Sequence, residues 1–425
     1  MITEWKSTKD GRMGRLLGVL LTVVALAVLS LTCSGCWDRR ELDESHHAVS
    51  LYLDWDEGLL RVTVEVLSAS GEAAQAAAAK HVVISARGAG FADAMYNARL
   101  SSERPINLAH VNFIVFGGEL ARRGLGEVID ALTAHYQVRS HILVAVTPGN
   151  AHELLSAELT APRHAEHMLG LLEGASRTGA GGGPSDLLAV QRDLANGRAS
   201  DVVLAKLVLL PPSPVEHAAH PTQAGMETQP GAGGGKAEGE AAGKLPIASV
   251  SGAALFHRDR LAGFLERYEA EGLQWAMARI KDRRVWVPLA EGGGFSLLVS
   301  DTSPRVTASE VAGRLQVDIR VRVETDLSEM AGPADAGSPE RVTELEALAA
   351  RHIEEQIASG VAYAGAMKSD PLGVGLYLLR WSPDLWRRYE PAWPAPLAEA
   401  DYGINVSVKI VTTGILKQRA PFGPK

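Results

Sequence analysis

Apolar and polar positions alternate along LLRVTVEVL (59–67) and RLQVDIRVRVE (314–324), the period of a strand with one buried face. Shorter apolar runs over 81–85, 111–116 and 142–146 predict further strands, with helices over 91–100 and 120–135 between them. Asn150, behind Pro148-Gly149, is placed to cap a helix beginning near Ala151. Strands alternating with helices predict a mixed sheet with helices packed on it. Further on, 249–257, 260–264 and 284–287 read as strands. Ser338-Pro339 then opens a long helix, a capping hydroxyl followed by proline in the first turn. Along it Val342, Leu345, Ala349, Ile353, Ile357 and Val361 recur every three or four residues, the stripe of a helix laid on a sheet. A second helix over 375–388 and an amphipathic strand over 403–416 end the pattern.

The first 36 residues follow a different logic. Residues 16–32 form an uncharged apolar run of 17, preceded by Lys6, Lys9, Arg12 and Arg15 against Glu4 and Asp10, and followed by Ser34-Gly35-Cys36. A net-positive start, an apolar core and small residues before a cysteine predict a secretory signal over 1–35, with Cys36 as lipid acceptor. The same run nearly spans a bilayer core of about 30 Å, so an uncleaved anchor is the alternative. Both readings put residue 37 onward outside the cytoplasmic membrane.

Residues 211–244 hold Pro211-Pro212-Ser213-Pro214 and a glycine cluster, with no aromatics and almost no large aliphatics. Such a stretch buries too little apolar area to offset its ordering entropy and is expected to be a disordered linker or insertion. The Gly-rich stretch 174–184 reads as a loop. The expected organisation is therefore a first domain over 36–210, the linker, a small middle domain over 245–292 and a C-terminal domain over 293–425. The fold class is mixed α+β, three small domains of mixed sheets with packed helices.

Charge and cysteine usage narrow the chemistry. The chain carries a formal charge of −8, and loss of residues 1–35, with four basic and two acidic side chains, leaves −10. That balance opposes nucleic-acid binding and docking on anionic lipid by charge alone. The two cysteines, Cys33 and Cys36, both lie at the signal, which leaves no structural disulfide, zinc–thiolate cluster or cysteine nucleophile downstream.

Three patterns suggest an enzyme and fall short. Gly88-Ala89-Gly90 lies between a strand and a helix, but Asp93 stands where a dinucleotide fingerprint needs a small residue. His164-Ala165-Glu166-His167 lacks the spacing of a zinc protease, and His217 and His220 fall in the linker; both pairs read as solvated surface histidines. The sequence has no Gly-x-Ser-x-Gly elbow and no P-loop. The reading is a non-enzymatic protein with no metal site and no cofactor.

Several runs together resemble one family. They are Cys36-Trp37-Asp38-Arg39-Arg40-Glu41-Leu42; Ser85-Ala86-Arg87-Gly88 before a helix; and Leu108-Ala109-His110-Val111 running into Gly118-Glu119-Leu120-Ala121-Arg122-Arg123-Gly124. Gly252-Ala253-Ala254-Leu255-Phe256 with Leu261-Ala262-Gly263, Asp370-Pro371-Leu372-Gly373, and Trp381, Trp386 and Trp393 complete them. In these the chain resembles the Ger(x)C family of spore germination lipoproteins, the C subunits of germinant receptors in endospore-forming bacteria. The resemblance implies a lipid-anchored subunit on the outer face of the spore inner membrane, acting with A- and B-type membrane subunits. It supplies no catalytic residues. His110 is expected to open a strand and hold a hydrogen bond at a domain seam. The three tryptophans are expected to pack, or to face a partner where exposed. A stand-alone solute-binding lipoprotein is the alternative, and it requires a deep cleft between domains.

Overall fold

The computed structural model describes residues 17–27, 45–67, 82–157, 164–179, 181, 186–197, 199–211, 246–277, 280–290, 292–331 and 338–412. Residues 17–27 are helical with exposed side chains, and no helix among the described residues is long and apolar enough to cross a membrane. Cys36 and the run that follows it to Leu42, like the linker histidines His217 and His220, lie outside the described residues.

From His46 the chain builds a nine-stranded sheet. Its strands are β1 (His46–Asp56), β2 (Leu59–Leu67), β3 (Val82–Gly88), β4 (Ile106–Asn107), β5 (Phe113–Gly117), β6 (Leu143–Thr147), β7 (Val203–Leu210), β8 (Ile247–His257) and β9 (Arg260–Leu265). The order is β3-β2-β1-β5-β6-β7-β8-β9, with β4 beside β1. The centre, β1-β5-β6-β7, is parallel and both wings are antiparallel. Central strands are apolar on both sides, as a sheet covered on both faces requires. On one face Leu51, Leu53, Ile114, Phe116 and Val144 pack beneath α1 (Phe91–Leu100), α3 (Gly126–Ala134) and α5 (Leu187–Ala195); α2 (Gly118–Arg123) closes that side. On the other, Tyr52, Phe113, Val115, Ala145 and Leu207 meet a 3-10 turn (Ala151–Ser156) and α4 (His164–Thr178).

Four expectations change in this half. The helix read over 120–135 is two helices, because Gly124 at φ 129° takes a backbone that L side chains rarely adopt. Asn150 precedes a 3-10 turn without capping it by its side chain. The Gly-rich loop read from 174 is, as far as Thr178, the last turn of α4. The middle domain read over 245–292 is divided. Its strands β8 and β9 extend the first sheet through β7, while β10 (Arg283–Pro288) joins a second sheet.

That second sheet has the order β10-β11-β12-β13, with β11 (Gly294–Val311), β12 (Arg314–Ala331) and β13 (Asp401–Thr412). Ala312 and Gly313, at φ 50° and 79°, make the two-residue turn that fixes the β11–β12 register. The long helix α7 (Pro339–Ala366) forms as read, with Ser338 Oγ accepting the Arg341 N–H at 3.2 Å. Its stripe of Leu345, Ala349, Ile353, Ile357 and Val361 is fully or almost fully buried, and each large side chain contributes about 1.5–3 kcal/mol. Helix α7 also covers the free edge of β13. Glu354 accepts the Val406 N–H and Glu346 the Ile410 N–H, both at 2.9 Å, so these edge donors are not open to another strand. Helix α6 (Arg267–Met277) crosses α7, and α8 (Val374–Trp381) and α9 (Pro383–Tyr389) are separated at Ser382. Ala253, Leu255 and Leu265 of the first sheet share one apolar core with this half.

Candidate functional site

A pair of buried carboxylates ties the first sheet to the helices of the C-terminal half. Asp201, just before β7, accepts the backbone N–H of Arg258 at 2.7 Å and of Asp370 at 2.8 Å. The Asp201 N–H returns a bond to the Asp370 carbonyl at 3.0 Å, and Ser369 Oγ donates to the Phe256 carbonyl at 2.6 Å. Asp370 in turn accepts the N–H groups of Val374 at 2.9 Å and Gly375 at 2.8 Å, and Trp393 Nε1–H at 3.2 Å. The first turn of a helix has free N–H groups and a positive dipole end, so a carboxylate there fixes where α8 begins. Burial, reinforced by the neighbouring Asp201 charge and opposed by the three N–H donors, pushes the Asp370 carboxyl up to about 7.

What this junction holds in place is α8 and α9. Trp386 and Trp393 meet edge to face at 5.3 Å, and both are buried, so neither presents a face to a partner. Gly375 fits beneath them where a Cβ would stand 2.8 Å from the Trp386 ring. Trp381 is the reverse: 73% exposed at the end of α8, beside the exposed Leu379 and Arg380. A large aromatic held outside the core by a helix that is anchored inside it has the character of an interface anchor.

His110 stands elsewhere. It lies in an exposed turn three residues before β5, with its ring 5.1 Å from that of His47 in an edge contact, and so does not begin the strand. Beside the end of β5–β6 is a groove of about 580 Å³, with Val111, Ile142 and Leu143 on its floor and Arg139, Glu173 and Arg177 around it.

The histidines of His164-Ala165-Glu166-His167 are not on the surface. His164 is fully buried, with Nε2 at 2.9 Å from the Leu154 carbonyl and Nδ1 at 3.2 Å from Glu65 and 3.3 Å from Tyr52 Oη. Ser50 Oγ donates to the same Glu65 at 2.6 Å. His164 thus completes a buried polar network between β1, β2 and α4, and His167 is buried one turn-face away. At Gly88-Ala89-Gly90, Asp93 accepts the Ala89 N–H at 2.8 Å, so its own carboxylate occupies the place that a phosphate would need. Among the described residues no group of His, Cys, Asp and Glu is arranged to hold a metal ion.

Comparison with known proteins assigns both halves to one kind of protein. Residues 38–209 match the family described as spore germination protein N-terminal domain, and 251–414 match spore germination B3/GerAC like, C-terminal. Among curated relatives from Bacillus subtilis (strain 168), a candidate spore germination protein, YfkR, is 21% identical over 397 residues, covering 92% of this chain and 95% of its own. Spore germination protein KC is 22% identical over 412 residues, covering 93% and 96%. The crystal structure of the GerBC protein superposes with a TM-score of 0.52 at 16% identity, over 85% of this chain and 96% of that one. This likeness shows the same mixed α+β fold.

Proposed function

This chain belongs to the Ger(x)C family of spore germination proteins, and on that premise we propose that it is the non-enzymatic C subunit of a germinant receptor. In this reading Cys36 carries the lipid, the chain sits on the outer face of the spore inner membrane, and it assembles there with A- and B-type membrane subunits. The observation that carries the reading is coverage: both family regions occur in order, and relatives of nearly equal length align end to end. The exposed Trp381, set on a helix anchored by Asp370, supports a protein whose work is done by contact. The test is to purify the tagged full-length chain from sporulating cells that express A- and B-type subunits. Wild type is expected to retain both, and Trp381→Ala to retain them at least several-fold less, as loss of an interface tryptophan does. Purification of the wild-type chain alone refutes the assignment.

The groove beside β5 and β6 favours a second reading, direct capture of a small solute. Its volume is in the range of small-molecule sites, although it lies within the first sheet's surroundings rather than between domains. Titration calorimetry of the full-length chain with the receptor's germinant separates the two, since the assembly reading needs no binding by this subunit alone.

A further inference from the structure

The outer face of the second sheet carries three arginines that make no ion pair among the described residues. Along β12 the odd positions Leu315 to Leu327 are buried, so Arg320 and Arg322 point to the opposite side, and both are exposed. Register places Arg305 of β11 directly across from Arg320, and Ser303 across from Arg322. On the other flank Arg320 lies beside Asn405 of β13, and Arg322 beside Ser407. Three guanidinium groups therefore share two adjacent rows of the face, strands standing about 4.8 Å apart and successive outward residues about 6.8 Å apart. Among the described residues none of the three takes part in an ion pair or side-chain hydrogen bond. The rows on either side are acidic: Asp318 and Glu324 are the outward residues of β12 that flank the two arginines, Glu324 exposed and beside Lys409 in register. Asp301 pairs with Lys281 at 4.0 Å, Lys409 with Glu346 at 3.2 Å, and Asp318 accepts from Gln316 at 3.4 Å.

Like charges directly opposite on a sheet destabilise it, and no ion pair among the described residues offsets the Arg305–Arg320 pair. We infer that this arginine triangle is a docking face for an acidic segment of a partner protein, whose carboxylates the guanidinium forks receive. Carboxylates fit because arginine offers paired donors in a fixed plane. The neighbours Ser303, Asn405 and Ser407 are small and neutral, so a chain segment can lie flat across the strands. A membrane fits less well, because attachment to anionic lipid takes four to eight cationic residues and this chain is net negative. The inference deepens the receptor reading, in which A- and B-type subunits are the source of that segment.

The experiment compares the full-length chain with Arg320→Glu/Arg322→Glu in five measurements. In cells with A- and B-type subunits, the double variant is expected to retain them at least ten-fold less. Binding of a hexaglutamate peptide to the wild-type chain is expected to weaken with salt and to vanish in the variant. The melting temperature should stay close to wild type, which shows that the variant folds: Arg305 then faces a carboxylate instead of a cation, while Asp318 and Glu324 each gain a like-charged neighbour. Equal retention of the subunits by wild type and variant overturns the docking face. If wild type retains neither subunit the receptor reading fails, and the peptide measurement still decides the face by itself. Flotation with phosphatidylglycerol vesicles that is lost in the variant while the subunits stay bound assigns the face to lipid and overturns the proposal. A wild-type dimer, seen by light scattering and absent in the variant, assigns it to a second copy and does the same.

Discussion

At Asp370 a single proton links folding to pH. An unfolded aspartate ionises near 3.9, while burial holds the folded Asp370 near 7. Below about pH 4 both states keep the proton and the residue contributes nothing to the pH dependence. Between about 4 and 7 the folded chain keeps a proton that the unfolded chain has released, so rising pH favours unfolding. Above about 7 the loss is complete and amounts to as much as about 4 kcal/mol. Asp370→Asn is neutral throughout. Wild type is therefore expected to be more stable than the variant at pH 5, and that margin should shrink by pH 8 when both are followed by urea unfolding. An identical margin at the two pH values would show that Asp370 is ionised in the fold. This residue was visible in the sequence as part of Asp370-Pro371-Leu372-Gly373, but its role was not. Its ionisation is set first by burial, and two of the groups that enclose it, Asp201 and Trp393, come from both sides of it in the chain and meet it only after folding. The same distance misled the reading of His164. A His-x-x-His pair near a glycine-rich stretch looks solvated until Glu65, 99 residues earlier, is seen bonded to it.

Helix α7 was legible because its information is local: a capping serine just before it, then a proline and a stripe within the 28 residues that form it. Its partner α6 was not, because what fits the two helices together is a pair of glycines in different segments. A Cβ on Gly272 would fall on the Gln356 carbonyl, and one on Gly360 would lie 2.5 Å from the Glu269 carbonyl and 2.9 Å from the Leu273 nitrogen. Backbone meets backbone at this crossing. Gly272→Ala or Gly360→Ala gains helix propensity of about 1 kcal/mol and loses more by forcing the helices apart. Each is expected to lower stability by about 1–3 kcal/mol in urea titrations, against a gain for alanine at an open helical position such as Gly170. If Gly272→Ala is as stable as wild type, the close approach is not required. The arginine triangle belongs to this scale too. The alternation over 314–324 already set Arg320 and Arg322 on the polar face, whereas the neighbour that makes them a cluster, Arg305, follows only from the hairpin register.

Across the whole molecule, the mixed α+β class could be read from strand and helix periods, but the partition of the middle stretch could not. Strands β8 and β9 alternate like any hairpin, and only the parallel centre they extend decides which sheet they join. The attachment of the chain is a question at the same scale, and it turns on the sequence before residue 46. Each methylene buried in a bilayer contributes about 0.8 kcal/mol, and one acyl chain binds only marginally while two hold firmly. A diacylglyceryl group on Cys36 would thus make the subunit resident at the membrane, which concentrates it beside integral partners and turns weak side-on contacts into an assembly. Cys36→Ala removes the only sulfur that could carry that lipid once 1–35 is cleaved. The variant is expected to incorporate no labelled fatty acid, to run larger on a gel because lipoprotein-type cleavage is blocked, and to slow germination in response to the receptor's germinant. The loss should be partial, since the uncut apolar run over 16–32 is almost long enough to hold the protein at a bilayer. Wild-type protein without lipid, or a Cys36→Ala variant equal to it in size and germination rate, replaces the lipid anchor with a signal anchor. The carboxylate junction, the Trp381 face and the arginine triangle would then act from a peptide tether, and their own tests would stand unchanged.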